Sequence, residues 1–165
     1  MTTHDDLAAA HAIGQTKAGY CRFIDTKQWH RLPGLFTPDA TVAGLNSTPD
    51  GASAADFVKG VSRGLGPSVS IHNVHTPQIE RTAPDRARVI WQMMDYVEYP
   101  EGTTPSGPFT GRGWMGWGFY EEEYARTGTG WLIAFMRLTR LRMDALTGDR
   151  PPIAPGRIAP DPDWI

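Results

Sequence analysis

Four side chains in this sequence stand where neither core nor surface logic readily places them, and together they could move a proton. Asp95 interrupts a period-two row of apolar residues, Val89, Trp91, Met93, Val97 and Tyr99, so on a β-strand its carboxylate shares a face with the core. A buried carboxylate is costly unless paired or hydrogen-bonded, so Asp95 needs a partner or a raised pKa, or else it ends its strand against backbone or solvent. Arg137 follows Trp131, Ile133 and Phe135 in a second such row. It is either a counter-ion for a buried acid or an exposed arginine whose stem covers a tryptophan. His72 and His75 point to opposite faces of one strand, which argues against a metal clamp on that strand. A lone strand histidine is then either structural or a general base. Asp25 closes a stripe of small residues, Gly14, Ala18 and Cys21, near a helix C-terminus where the macrodipole disfavours negative charge. Tyr20 lies about 140° round that helix from Asp25, so the two share a pocket only if it wraps the helix or the helix end distorts. The chemistry these types support is general base catalysis by a His–Asp pair in an aromatic cavity.

Other chemistries lack their motifs. Gly111, Gly113, Gly116 and Gly118 lie inside a Trp-rich strand and do not join a strand to a helix, so they form no phosphate loop. There is no nucleophile elbow and no metalloprotease helix. The single Cys21 excludes an internal disulfide and any multi-cysteine metal site. One unpaired thiol suits a reducing compartment, here the cytoplasm. The N-terminus carries no basic-then-apolar leader pattern, and no apolar run is long enough to span a bilayer.

The elements that must hold these residues are readable from periodicity. Residues 5–25 read as one long helix capped by Thr3 or Asp5. A short helical stretch over 28–36 is broken by Pro33-Gly34, 37–40 is a turn and 41–45 a short strand. Residues 53–65 carry Phe57, Val61 and Leu65 at helical spacing. From Ser68 the period becomes two, predicting long strands over 69–82, 86–99, 113–126 and 130–143, with a loop over 101–110. Their short separators favour antiparallel hairpins. The fold class is α+β, a curled antiparallel sheet around the first helix, with a pocket between them.

Composition bounds the rest. At 165 residues the chain fits one domain, expected over 1–146, followed by a proline-rich arm over 147–165 that ends in Trp164-Ile165. Sixteen basic against eighteen acidic residues leave a net charge of −2, which makes nucleic acid an unsuitable partner. Six Trp, six Phe, five Tyr and six Met are core or pocket. Much of this excess falls on the rows holding Asp95 and Arg137, which favours a pocket.

Three runs carry a resemblance: GYCRFIDTKQWHRLPGLFTPDATV, SIHNVHTPQIE and YEEEYARTGTGWLIAFMRLTRLR. From Asp5 to about Met143 the chain resembles the SnoaL-like branch of the nuclear transport factor 2-like superfamily. Its pattern is most similar to the dehydratase-type members: scytalone dehydratase, bile acid 7α-dehydratase and hexachlorocyclohexane dehydrochlorinase. That resemblance implies an α+β cone, or α+β barrel, with a deep apolar pocket and a His–Asp dyad that uses no metal or cofactor. Asp25 and His72 fall on the dyad positions. The bile acid 7α-dehydratase set carries over to Tyr20, Asp25, His72, Asp95 and Arg137, with Arg140 as a neighbouring alternative.

What the resemblance implies is a lyase removing water from an apolar cyclic, steroid-sized or aromatic substrate. His72 is then the base, Asp25 its orienting partner, Tyr20 a donor to a substrate oxygen, and Asp95 an aid to the departing hydroxyl. Trp91, Met93, Trp117, Phe119 and Phe135 are the expected pocket lining. Ketosteroid isomerase-like or polyketide cyclase-like chemistry, or a non-catalytic binding module, are the alternatives. Homo-oligomers are common in the family, trimers among the dehydratases and dimers elsewhere, so self-association is expected.

Overall fold

The computed structural model describes residues 3–103, 111–149, 160–161 and 163–164. Most of the expected loop over 101–110 and of the expected C-terminal arm lies outside these residues.

Helix α1 (His4–Asp25) begins at Thr3, whose hydroxyl accepts from the Asp6 amide while the Asp6 carboxylate accepts from the Thr3 amide. This reciprocal cap satisfies two donors that the first turn would otherwise leave unpaired. Helix α2 (Ala54–Leu65) starts on the Ser53 hydroxyl and buries Phe57, Gly60, Val61 and Leu65 along one stripe. Neither helix is long and apolar enough to cross a membrane.

The strands are β1 (Phe36–Ala43), β2 (Ala52–Ser53), β3 (Val69–Ala83), β4 (Arg86–Glu98), β5 (Gly113–Thr127) and β6 (Gly130–Ala145). They form one sheet in the order β2-β1-β6-β5-β4-β3. From β3 to β6 every neighbour is antiparallel, as the tight separators Pro84-Asp85 and Gly128-Thr129 favour for β3–β4 and β5–β6, while a longer connection joins β4 to β5. The sheet is nevertheless mixed, because β1 runs parallel to β6 with Val42 opposite Met136. The long crossover through α2 and β3–β5 allows that pairing. Two local expectations change with it. The stretch over 28–36 keeps only a 3₁₀ turn at Leu32–Leu35, since Pro33 and Gly34 cannot extend a helix. Residues 37–40, expected as a turn, are part of β1, where they form the irregular stretch between Phe36, opposite Ile133, and Thr41, opposite Phe135 of β6.

Irregular register curves the sheet. On β6, Ile133 faces Tyr124 while Phe135 faces Glu123, so one residue is added, and a second is added between Arg140 and Arg142. On β3 the register slips between His75 and Gln78, where Thr76 takes a φ of 24°. Such bulges bend a strand and invert its alternation beyond the added residue. The resulting α+β cone packs α1 and α2 against the concave face. The core between them includes Ile13, Tyr20 and Ile24 from α1, Phe57 from α2, and Met93, Tyr124, Ile133 and Met136 from the sheet.

One ion pair lies wholly inside this core. Lys17 Nζ of α1 is 2.6 Å from Glu122 Oε1 of β5, and neither side chain is exposed. Glu122 Oε2 also accepts from Trp91 Nε1 at 2.9 Å and from the Tyr124 hydroxyl at 2.5 Å. The ammonium sits 3.4 Å from the Tyr120 ring centroid and 4.2 Å from that of Tyr20. Both charges are thus compensated, which burial at this depth demands. Lys17→Met leaves Glu122 without its cation, and urea denaturation should record a loss of about 3–5 kcal/mol. Lys17→Met with Glu122→Leu should recover much of that loss.

Candidate active site

Asp25 is the last residue of α1, and its carboxylate meets β3. Its Oδ2 accepts the backbone N–H of His72 at 2.7 Å. Its Oδ1 lies 2.6 Å from His72 Nδ1 and accepts the Ser70 hydroxyl at 2.9 Å. These bonds offset the unfavourable field of the helix C-terminus. Facing a carboxylate that can only accept, the neutral His72 ring carries its proton on Nδ1 and leaves the Nε2 lone pair for other work.

His72 lines a cleft of about 550 Å³ between the helices and the concave sheet face. Tyr20 and Ile24 of α1, Phe57, Val61 and Leu65 of α2, and Val97, Trp114, Tyr120 and Leu138 of the sheet supply its largely apolar wall. Tyr20 stacks on Phe57 with ring centroids 6.2 Å apart and meets Tyr120 edge-on at 5.7 Å. Burial pushes the phenols of Tyr20 and Tyr120 well above their ordinary pKa, although a hydrogen bond between them works against the rise at Tyr20. Both therefore remain proton donors at neutral pH. Burial likewise pushes the Cys21 thiol up to about 11, which keeps it an inert thiol beside the site.

The second acid of the cleft is Asp95 on β4, opposite His72 in the strand register. Arg140 of β6 holds it in a two-pronged bond, Nη1 to Oδ1 at 2.8 Å and Nη2 to Oδ2 at 2.7 Å. Burial opposes the charge on Arg140, but the hydrogen bonds and charge of Asp95 raise its pKa above the ordinary arginine value. Gly116 lies between the two on β5. A Cβ there would come within 2.3 Å of Arg140 Nη1 and 2.4 Å of Asp95 Oδ1. The fork thus requires glycine at 116.

The structure brings Tyr20, His72 and Asp95 to one cleft, with Asp25 bonded to His72, and it separates Arg137 from them. Arg137 is on the convex face, bonded to Glu121. The extra residue after Ile133 inverts the alternation, so the inward row of β6 continues through Met136, Leu138 and Arg140. The expected lining changes for related reasons. Trp117 and Phe119 occupy the outward set of β5, and Phe135 falls at the bulge, beside Glu121 and Arg137 in a convex groove. Trp91 and Met93 do face inward, but they are core beneath the cleft and not its wall. Sequence reasoning missed Trp114, Tyr120 and Ser70. For β5 a signal was present, because the odd row ends in Glu121 and Glu123, which marks it as outward.

Among the described residues, no group of three or more His, Cys, Asp or Glu side chains could hold a metal ion. The cleft offers a histidine base, two phenol donors and a fixed cation around an apolar space. That set suits abstraction of a carbon-bound proton with stabilisation of charge on a neighbouring oxygen.

Comparison with known proteins agrees with this architecture. A family model described as the SnoaL-like domain matches residues 5–137. The protein named Probable cyclase FGR4 of Gibberella zeae is 31% identical over 146 residues, spanning 81% of this chain and 91% of that protein. Among solved structures, hexachlorocyclohexane dehydrochlorinase LinA-type3 of Novosphingobium barchaimii superposes with a TM-score of 0.69 at 21% identity, covering 90% of this chain and 98% of that one. The protein named "Putative Scytalone Dehydratase" of Novosphingobium aromaticivorans gives 0.74 at 16% identity, covering 94% and 99%. At such identities these two structures show the shared fold.

The two arginines should separate cleanly in experiment. Arg140→Ala strands the buried Asp95 and should destabilise the protein by about 3–5 kcal/mol in chemical denaturation. Arg137→Ala breaks a partly exposed pair and should cost about 1 kcal/mol or less.

Proposed function

This chain belongs to the SnoaL-like domain family, and on that premise we propose that it is a lyase, a dehydratase removing water from an apolar cyclic, steroid-sized substrate. The observation that carries the reading is the 2.6 Å contact between His72 Nδ1 and Asp25 at the wall of a cleft of about 550 Å³. A space of that size suits a drug-sized or steroid-sized ligand.

His72 Nε2 takes a proton from a carbon made acidic by an adjacent carbonyl or ring. Asp25 holds the ring in the reactive tautomer and stabilises the imidazolium as it forms. Tyr20, or Tyr120 beside it, donates to the substrate oxygen on which negative charge develops. The imidazolium then returns its proton to the departing hydroxyl. One C–H and one C–O bond break, one C=C bond forms, and water leaves. Asp95 is bonded on both oxygens to Arg140, so its part is to fix the guanidinium, whose remaining N–H groups supply positive charge to the cleft.

The Gibberella zeae relative named a cyclase favours a second reading, ring closure or isomerisation from the same base. Mass separates the two, since elimination removes about 18 mass units from a hydroxylated substrate and isomerisation removes none. The buried, unpaired Cys21 fits a cytoplasmic setting.

Self-association, with a trimer favoured, is part of this proposal. The convex sheet face carries half-buried Trp117 and Phe119, with Ile71 and Ile90 exposed at 48% and 40%. A second copy with the same face would cover them.

Hydroxylated 3-oxo-steroids and small aromatic polyketides, screened for a new conjugated chromophore, should reveal the substrate. On it, His72→Ala and Asp25→Asn should each lower kcat by about 10²–10⁴-fold while ligand affinity stays near wild type. Near-normal turnover in either variant overturns the mechanism. Light scattering should give an oligomer that Trp117→Arg weakens, and a monomeric wild-type mass would refute self-association.

A further inference from the structure

Behind the His–Asp pair lies a lysine that the mechanism above does not use. Lys27 follows the end of α1 with a φ of 61°, the left-handed conformation that this helix-ending position normally reserves for glycine. The flanking amides make the corresponding turn, Lys27 N–H to Ile24 O at 3.2 Å and Gln28 N–H to Phe23 O at 2.7 Å. A lysine here bears a steric cost that glycine would avoid, and the structure shows what its side chain does. Lys27 Nζ donates to Ser70 Oγ at 2.8 Å, and Ser70 in turn donates to Asp25 Oδ1, the same oxygen that faces His72 Nδ1. Three hydrogen bonds thus join an ammonium to the ring of the base. Ser70 is buried, so this link is held away from bulk water.

We propose that Lys27, acting through Ser70, is a positioning residue of the catalytic base: its positive charge sets the orientation and electrostatic strength of the Asp25–His72 pair. The proposal rests on the reading of His72 as a general base. It adds a third charge to the pair, and its sign follows from elementary electrostatics. With the ammonium in place the field of Asp25 is partly neutralised, so positive charge on the imidazole is less favoured. Without it the acid limb of the pH–rate profile moves upward.

Among the described residues, three elements supply the groups that face Lys27. Asp25 comes from α1, Ser70 and through it His72 from β3, and from the following turn the uncharged indole of Trp29, 5.7 Å below Nζ. Burial lowers the Lys27 amine to about 8, and the charge of Asp25 acts in the opposite direction. The ammonium is therefore present at neutral pH and titrates just above it.

Lys17, Lys27 and Lys59 are the only lysines in the chain, so nitrogen-15 labelling of lysine with Lys27→Arg as reference assigns the Nζ signal without a substrate. In wild-type protein it should titrate near 8, and in Asp25→Asn it should titrate lower, because the supporting charge is gone. An unmoved titration in a folded Asp25→Asn variant overturns the proposal. On the substrate found by the elimination screen, Lys27→Met should shift the acid limb of kcat/KM to higher pH by about one pH unit. Lys27→Arg should restore the limb, and Ser70→Ala should shift it in the same direction as Lys27→Met. A merely structural lysine would leave the limb in place, and that result, with Asp25→Asn inactive, refutes the role of Lys27 alone. Retained turnover in either Asp25→Asn or His72→Ala refutes the base reading instead, and the lysine titration still decides whether Lys27 and Asp25 are coupled.

Discussion

The concave face of this sheet can exist only if the carboxylates on it are compensated. Three of them meet that face: Asp25 at the end of α1, Asp95 on β4 and Glu122 on β5. Each is matched by groups from a different element. Lys17 reaches Glu122 from helix to sheet, Arg140 reaches Asp95 across the intervening strand β5, and His72 with Ser70 reaches Asp25 from β3. An uncompensated charge at these depths would cost several kcal/mol, a large part of the net stability of a domain of this size. The pairs therefore fix where α1 lies and how far the sheet must curl.

The same three pairs divide the labour of the cleft. Glu122 is fully occupied by Lys17, Trp91 and Tyr124, and it acts as a foundation beneath the rings of Tyr20 and Tyr120. Asp95 is fully occupied by Arg140 and fixes a cation at the wall. Asp25 alone is joined to a ring that lines the cavity and keeps its second nitrogen for other work. In low dielectric a fixed charge acts strongly on whatever binds beside it, so an apolar cleft with few polar groups still has a defined electrostatic shape.

Much of this was legible in the residues. The two helices, four long strands and their hairpin order follow from local periodicity and caps. The isolation of Asp95 in an apolar row marked it as needing a partner, which Arg140 supplies. Asp25 and His72, on elements far apart in the chain, were joined by family resemblance and not by pattern, since no local rule relates a helix end to a strand 47 residues away. Ser70 and Lys27 carried no signal at all, because serine and lysine are ordinary surface types and their meaning here is positional.

What the sequence determined by itself were the properties each segment owns: its period, its caps, the residue types in each row and the charges that must be answered. What tertiary structure decided was phase. Strict alternation put Arg137 in the inward row of β6, and one added residue opposite β5 put Arg140 there instead. A bulge is chosen by the fit of two strands around a curved core, and the strand that carries it holds no record of that fit. The parallel pairing of β1 on β6, the glycine demanded at 116 and the lysine aimed from a left-handed turn have the same origin. Each is set by a neighbour that arrives only when the chain has folded.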